Sequence, residues 1–133
     1  MDAETRKLVR QRADGRCEYC RLPETADEWS FHVDHIVARA HAVNDDPANL
    51  AWACTQCNLH KGTNFASIDP ESSARVDLFD PRNQNWLDHF RIGRDARIIG
   101  LTPMGRATVR LLSMNVGPRV ELRRELIEQG AYS

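Results

Sequence analysis

Long apolar runs are absent from this sequence of 133 residues. Residues 1–7 (Met-Asp-Ala-Glu-Thr-Arg-Lys) lack the apolar core of a secretory signal, and no later apolar stretch is long enough to cross a bilayer. Internal repeats and low-complexity segments are absent as well. These absences exclude a membrane-spanning protein, and they predict a soluble chain in the reducing cytoplasm with no membrane partner.

A strong net charge is also absent. The chain has 18 basic and 19 acidic residues, a net charge of −1, so its overall electrostatics do not indicate a nucleic-acid-binding protein. The distribution is more informative, because residues 82–124 contain nine arginines and three acidic residues. The planar guanidinium fork suits phosphate oxygens. The arginines of residues 82–124 therefore predict a phosphate-binding surface. A coding bias toward arginine is the alternative explanation of their number.

The chain has only four cysteines, arranged as two Cys-x-x-Cys pairs with none left over: Cys17 with Cys20, and Cys54 with Cys57. Two such pairs supply the four thiolates that a tetrahedral zinc site uses. The alternative of disulfide bonds requires an oxidising compartment. We therefore predict a structural Zn²⁺ that joins two distant segments and contributes to the folding of a domain of modest size.

The first half of the chain predicts a strand, a loop, a strand and a helix. Residues 29–33 and 50–53 are rich in aromatic or apolar residues, and residues 38–48 between them are polar. A short helix over 55–61 is expected to be capped by Thr55 and to end at Gly62. A preceding helix, capped by Asp2, leads to the first cysteine pair.

The second half predicts a short strand at 76–79, a hairpin over 91–100 and two helices that begin at Pro103 and Pro118. The fold class is therefore α+β. We expect one domain over residues 1–133, with a zinc-stapled core at 1–64 and a C-terminal extension at 65–133 that holds the hairpin and the two helices.

Asp34 and His35 are adjacent where the first strand ends, so their side chains are expected to diverge. The carboxylate can hold a hard divalent cation, and Asn58 can supply a second oxygen from the helix. An imidazole, with a reference pKa of about 6.5, can take a proton from water near neutral pH. Taken alone, an Asp-His pair is more often an ordinary loop or surface feature.

Three motifs in order resemble those of the HNH endonucleases: Asp34-His35-Ile36, then Asn49-Leu50, then Cys54-x-x-Cys57-Asn58-x-x-Lys61-Gly62. The resemblance implies a ββα-metal (His-Me finger) core and a metal-dependent endonuclease that hydrolyses DNA, leaving a 5′-phosphate and a 3′-hydroxyl. By this resemblance the catalytic residues are His35, as general base, and Asn49, which pins the loop. Asp34 and Asn58 would then hold one catalytic Mg²⁺ or Mn²⁺.

Two features depart from the family pattern. Asn58 stands where a histidine is common, which favours Mg²⁺ or Mn²⁺ over softer metals, and the loop lacks the usual pair of glycines. His60 competes with Asn58 for the ligand role. Residues two positions apart on a helix point about 200° apart, so Asn58 and His60 cannot both face one ion. The position of Asn58 in the family motif favours Asn58 as the ligand. His60, Lys61 and Arg39 are alternatively phosphate contacts, although a single base such as Lys61 or Arg39 is more often an ordinary solvated charge.

A second class of function is a non-catalytic zinc-ribbon module that binds nucleic acid or protein without cleaving it. A zinc ribbon requires the four cysteines but none of the residues Asp34, His35, Asn49 and Asn58. All four are present, so the sequence favours the nuclease.

Overall fold

The computed structural model describes residues 1–132, which combine helices with short strands. The helices are α1 (Ala3–Arg12), α2 (Thr55–Lys61), α3 (Trp86–His89), α4 (Pro103–Leu111) and α5 (Gly117–Glu128). The strands are β1 (His32–His35), β2 (Leu50–Ala53), β3 (Ala66–Ile68), β4 (Arg75–Asp77), β5 (Phe90–Ile92) and β6 (Ile98–Gly100). The predicted α+β class is confirmed as a mixture of helices and small sheets. Across residues 1–132, no helix has both the length and the apolar character needed to span a membrane.

The strands form three antiparallel pairs, β1 with β2, β3 with β4, and β5 with β6. In the first pair, Asp34 lies opposite Ala51 and His35 lies opposite Leu50. Every residue of β2 is buried, because α1 packs on this strand. The pair therefore presents Asp34 and His35 at a fixed register, one residue apart.

Helix α1 is attached to β2 largely by arginine side chains. Val9 is its buried apolar residue. The guanidinium of Arg6 lies 4.7 Å from the centre of the Trp52 ring, and an arrangement of this kind contributes about 0.5–2 kcal/mol. Arg12 donates to the carbonyl of Leu50 at 2.6 Å. The Arg12 hydrogen bond occupies a backbone carbonyl on the edge of β2 that β1 leaves open.

The predicted first strand is displaced: residues 29–33 were expected, whereas β1 covers His32–His35. The aromatic content of 29–33 misled the prediction, because Trp29 is 69% exposed. The four residues of β2 pair with 32–35 and leave 29–31 without a strand partner. The predicted cap of α2 is also wrong. Cys54 Sγ accepts from the Cys57 amide at 3.4 Å, so a cysteine caps this helix instead of Thr55.

In the second half, α4 packs on β6 and follows its N-cap Thr102, whose Oγ1 accepts from the Gly105 amide at 3.0 Å. The strand predicted at 76–79 is β4, at 75–77. Strand β3 and helix α3 were not predicted. Both are too short to carry a periodic pattern, and they depend on tertiary partners: β3 pairs with β4, and α3 buries Trp86.

Candidate metal and catalytic site

The four cysteines meet in one buried cluster, with their Sγ atoms all within 4.8 Å of one another. None forms a disulfide, so the disulfide alternative is wrong. Cys20 Sγ and Cys54 Sγ are 3.8 Å apart. A tetrahedral zinc site with Zn–S bonds of about 2.3 Å has S–S edges of about 3.8 Å. The cluster therefore suits a structural Zn²⁺ that joins the turn before β1 to the start of α2.

The four thiols also alter one another's pKa values. Burial raises the pKa of Cys17, whereas hydrogen bonding from Cys17 lowers the pKa of Cys54. In the cluster, thiols therefore stabilise a neighbouring thiolate. Zinc ligation requires thiolates, so zinc binding is expected to release protons and to weaken at low pH.

A second site lies next to this cluster, in a cleft of about 210 Å³ that we call the β1–α2 cleft. It is lined by Val33, Asp34, His35, Ala38, Arg39, Asn58 and Gly62. The end of β1 supplies the first three residues, and α2, which begins at the zinc cluster, supplies Asn58. The structure thus brings Asp34, His35 and Asn58 to one opening. The cleft has room for several water molecules, each of which occupies about 30 Å³ in the liquid.

Asp34 is a buried carboxylate with two partners at the inner wall of this cleft. Its Oδ2 accepts from the hydroxyl of Tyr19 at 2.7 Å, and Lys61 Nζ lies 3.2 Å from the same oxygen. Burial raises the pKa of Asp34, and the Lys61 charge and the Tyr19 hydroxyl oppose that rise. The carboxylate oxygens of Asp34 and the amide oxygen of Asn58 are donors that suit Mg²⁺ or Mn²⁺.

His35 lines the same cleft, and its side chain pairs with Asp45. His35 Nε2 lies 2.8 Å from Asp45 Oδ1, and Arg39 binds both oxygens of the same carboxylate. Hydrogen bonds from His35 and Arg39 lower the pKa of Asp45. An ionised carboxylate only accepts hydrogen bonds, so Nε2 carries a proton, and in a neutral imidazole Nδ1 then keeps its lone pair. The pair with Asp45 therefore leaves His35 in the tautomer that a base requires at Nδ1.

Asn49 ties the loop between β1 and β2 to itself. Its Oδ1 accepts from the Val37 amide at 2.9 Å, and its Nδ2 donates to the carbonyls of Val37 and Asn44, at 3.0 and 2.9 Å. All three contacts fall on the loop that carries Asp45. The buried Asn49 side chain thus fixes the loop that in turn contacts His35.

The three remaining candidates lie in different places. His60 is exposed and its Nδ1 contacts Ser113 Oγ at 3.3 Å, while Asn58 lines the cleft. Lys61 is 1% exposed and donates to Asp34 and to the carbonyl of His35 at 2.9 Å, so the solvated-charge alternative is wrong for it. Arg39 is exposed, but its guanidinium is engaged by Asp45.

Sequence reasoning missed two residues of this site, Asp45 and Tyr19. Asp45 lies in a polar loop with several acidic residues, and nothing in the pattern distinguishes it from Asp46. Tyr19 lies between the two cysteines of the first pair, where the zinc-linked turn buries it against Asp34. The position inside the cysteine pair was the one available signal.

The expected arginine-rich surface is only partly present. Arg91, Arg94, Arg97, Arg110 and Arg124 are exposed. In contrast, Arg123 is buried and donates to the carbonyls of Ala96 and Met114, and Arg106 is bound by Asp69 and Glu71. The prediction was wrong for these inward residues, because a count of arginines does not say which of them the fold uses internally.

Residues 17–64 match the model of the HNH endonuclease family. The matched segment begins at the first cysteine of the cluster and continues past α2, so it contains the zinc cluster and the β1–α2 cleft. Residues 17–64 are therefore similar to an HNH endonuclease domain, as the three motifs predicted, and this similarity suggests nuclease activity in general. Neither curated proteins nor solved structures give a match to the chain.

Proposed function

We propose that this protein is a metal-dependent endonuclease that hydrolyses phosphodiester bonds in DNA. The observation that carries the proposal is the β1–α2 cleft, where a histidine oriented by a carboxylate opens beside Asp34 and Asn58. The family match supports the general class of nuclease. A zinc ribbon that only binds would have no use for this cleft, so the binding module is not favoured.

His35 is the general base. Its Nε2–H is held by Asp45, so Nδ1 can take a proton from a water molecule as the water oxygen bonds to phosphorus. The bond from phosphorus to the 3′ oxygen then breaks, and the 3′ oxygen takes up a proton from solvent. The products are a 5′-phosphate and a 3′-hydroxyl, as the family resemblance implies.

Asp34 and Asn58 would hold a catalytic Mg²⁺ or Mn²⁺ in a ββα-metal core made of β1, β2 and α2. When bound, the ion stabilises negative charge on the phosphoryl and leaving oxygens. The oxygen donors and the open cleft fit a hard cation. Tyr19 and Lys61 orient the Asp34 carboxylate, and Asn49 holds the loop so that Asp45 and His35 keep their positions.

A plasmid-relaxation assay with purified zinc-loaded protein tests this function. We expect relaxation of supercoiled DNA that depends on added Mg²⁺ or Mn²⁺. Asp34→Ala and Asn58→Ala should raise the metal concentration required for half-maximal cleavage, because each removes one of two protein ligands, and excess Mn²⁺ should partly restore activity. His60→Ala is the matched control on the same helix and should leave the metal requirement unchanged. Binding of DNA without cleavage at any metal concentration would favour the zinc-ribbon module.

A further inference from the structure

Three arginines line a second cleft, which lies along the edge of β2 that faces away from β1, and a fourth lies at its border. The backbone groups of this edge are taken by Arg12, which donates to the Leu50 carbonyl, and by Glu18, which exchanges hydrogen bonds with Trp52. The cleft has a volume of about 250 Å³, and its lining includes Arg12, Arg16, Glu18 and Arg21. We call it the arginine cleft, and we include Arg82, which pairs with Glu18 at its border.

The positive charge of this cleft is not neutralised. The cleft and its border hold four arginines and one carboxylate, Glu18, and both oxygens of Glu18 are already engaged, one by the Trp52 amide and one by Arg82. Burial and the nearby charge of Arg12 lower the pKa of Arg82 to about 10. Asp80 precedes Pro81, which lines the cleft. The Asp80 carboxylate accepts hydrogen bonds from the Arg82 amide and from the Asn83 side chain, so both of its oxygens are already engaged.

Three buried donors in this region have no hydrogen-bond partner within residues 1–132: Nη1 of Arg16, Nε of Arg21 and Nη1 of Arg82. Buried donors in folded proteins are nearly always paired, and an unpaired one costs about 1–3 kcal/mol. One water molecule offers two acceptor sites and no charge. A tetrahedral oxyanion offers several acceptor oxygens together with the missing negative charge.

Arg21 occupies its position at a conformational cost. Its φ is +70°, a left-handed conformation that costs a residue with a side chain about 1–2 kcal/mol. Its guanidinium lies 5.2 Å from the centre of the Trp86 ring, which fixes the group at the wall of the cleft. Backbone strain of this kind is concentrated at functional positions.

We propose that the arginine cleft binds a phosphate group. Guanidinium groups bind phosphate oxygens through paired hydrogen bonds, and a volume of about 250 Å³ exceeds the need of a single water molecule, about 30 Å³, several-fold. The phosphate comes from the backbone of DNA or from a free phosphate or nucleotide. The DNA source rests on the proposed nuclease function, whereas phosphate binding does not. Arg12 links the cleft to β2 at Leu50, the residue opposite His35.

The first experiment measures phosphate affinity. Arg16 and Arg21 are the residues to change, because the structure gives their side chains no hydrogen bond or ion pair within residues 1–132, so their loss should leave the fold intact. The double variant Arg16→Gln/Arg21→Gln is compared with Arg124→Gln, which removes one exposed charge paired with Glu121. Titration calorimetry of zinc-loaded protein with inorganic phosphate and pyrophosphate, at constant ionic strength and without Mg²⁺ or Mn²⁺, supplies the affinities. We expect the phosphate affinity of the double variant to fall at least about tenfold, because charged hydrogen bonds are lost. The phosphate affinity of Arg124→Gln should equal that of the parent.

The second experiment identifies the source of the phosphate. The same substitutions are placed in a His35→Ala protein, and its affinity for duplex DNA is measured across a salt series. Loss of affinity with a salt slope that flattens by about 0.9 per lost contact assigns the cleft to the DNA backbone. Loss of phosphate affinity alone assigns it to a free phosphate. If the double substitution changes neither affinity, the cleft holds only water and the proposal is wrong. A protein that cleaves no DNA but loses phosphate affinity in the double variant contradicts the nuclease proposal and supports this one.

Discussion

At the scale of single residues, Asp45 decides which nitrogen of His35 is available. A neutral imidazole has two tautomers, and a hydrogen bond to one nitrogen selects between them. Asp45 accepts from Nε2 at 2.8 Å, and Arg39 binds Asp45 through both of its carboxylate oxygens. The exposed ion pair alone adds little stability. Its consequence is orientation, because it holds the carboxylate where His35 needs it.

We predict that Asp45→Asn lowers kcat for DNA cleavage by roughly 10- to 1,000-fold with little change in KM. This loss does not exceed the contribution of about 10²- to 10⁴-fold that general-base catalysis makes, since Asp45 acts only by orienting the base. Asp46→Asn is the matched control, since Asp46 caps a turn at Ala48 and is not bonded to His35. Nitrogen-15 NMR of the imidazole should show a proton at Nε2 in the parent and a mixture of tautomers in Asp45→Asn. If Asp45→Asn left both the tautomer of His35 and kcat unchanged, Asp45 would have no role in orienting His35.

For single residues, the sequence predicted which residues belong to the candidate site better than it predicted their contacts. The motifs placed Asp34, His35 and Asn58 together, and the structure has them on one cleft. Lys61 could not be placed, because sequence gives no sign that a lysine at the end of a short helix turns inward to a buried carboxylate. The same limit applies to Asp45, whose partner is ten residues away across a loop without periodicity.

At the scale of elements, two close backbone approaches fix α4 against the hairpin of β5 and β6. A Cβ on Gly105 would lie 2.2 Å from the carbonyl oxygen of His89, and one on Gly100 would lie 2.4 Å from the Arg106 amide nitrogen. Both neighbours are backbone atoms, which cannot rotate away. The helix therefore sits on the hairpin at a distance that only glycine allows.

We predict that Gly105→Ala destabilises the protein by about 1–3 kcal/mol or prevents folding, as overpacking does. Gly117→Ala is the control, because a Cβ there meets nothing within 4 Å and alanine favours a helix. Its effect should lie within about 0.5 kcal/mol or be stabilising. Urea denaturation of the two variants measures the difference. Equal stabilities would mean that α4 can shift away from the hairpin at little cost.

Elements were predictable where local signals were strong. Caps and prolines located α1, α4 and α5, and a short run of aromatic and apolar residues located β2. The prediction failed at β1, where aromatic residues outside the strand imitated a strand pattern, and at β3 and α3, which exist through tertiary partners. Short elements carry too few residues for periodicity to register, so packing alone decides them.

At the scale of the whole molecule, the cluster of four cysteines brings together segments that lie far apart in the sequence. We propose that residues 1–64 and 65–133 fold as one unit around it. Trp86 Nε1 donates to the carbonyl of Tyr19 at 2.7 Å, inside the first cysteine pair. Gln56 Nε2, inside the second pair, donates to the carbonyl of Ser113 at 2.8 Å. Both halves of the chain therefore meet at the cysteine cluster.

We predict one tightly bound zinc per chain, and unfolding or aggregation of Cys57→Ser. Structural zinc contributes about 10–16 kcal/mol in small zinc-dependent domains, as much as the whole stability of a typical domain, about 5–15 kcal/mol. Thr55→Ser is the control within the same cysteine pair, since it keeps the hydroxyl that donates to Ser30. Elemental analysis of folded protein measures the zinc content. A folded and active preparation without zinc would overturn this account of the cluster.

The measurement that tests the central claim most directly is plasmid relaxation in Mn²⁺ by His35→Ala beside His32→Ala. Both histidines lie on β1, but His32 contacts Thr55 at 3.1 Å and does not line the β1–α2 cleft. The account predicts that His35→Ala abolishes cleavage while its DNA affinity and zinc content stay at parental values, and that His32→Ala cleaves like the parent. Cleavage by His35→Ala at the parental rate would contradict the assignment of the β1–α2 cleft as the active site.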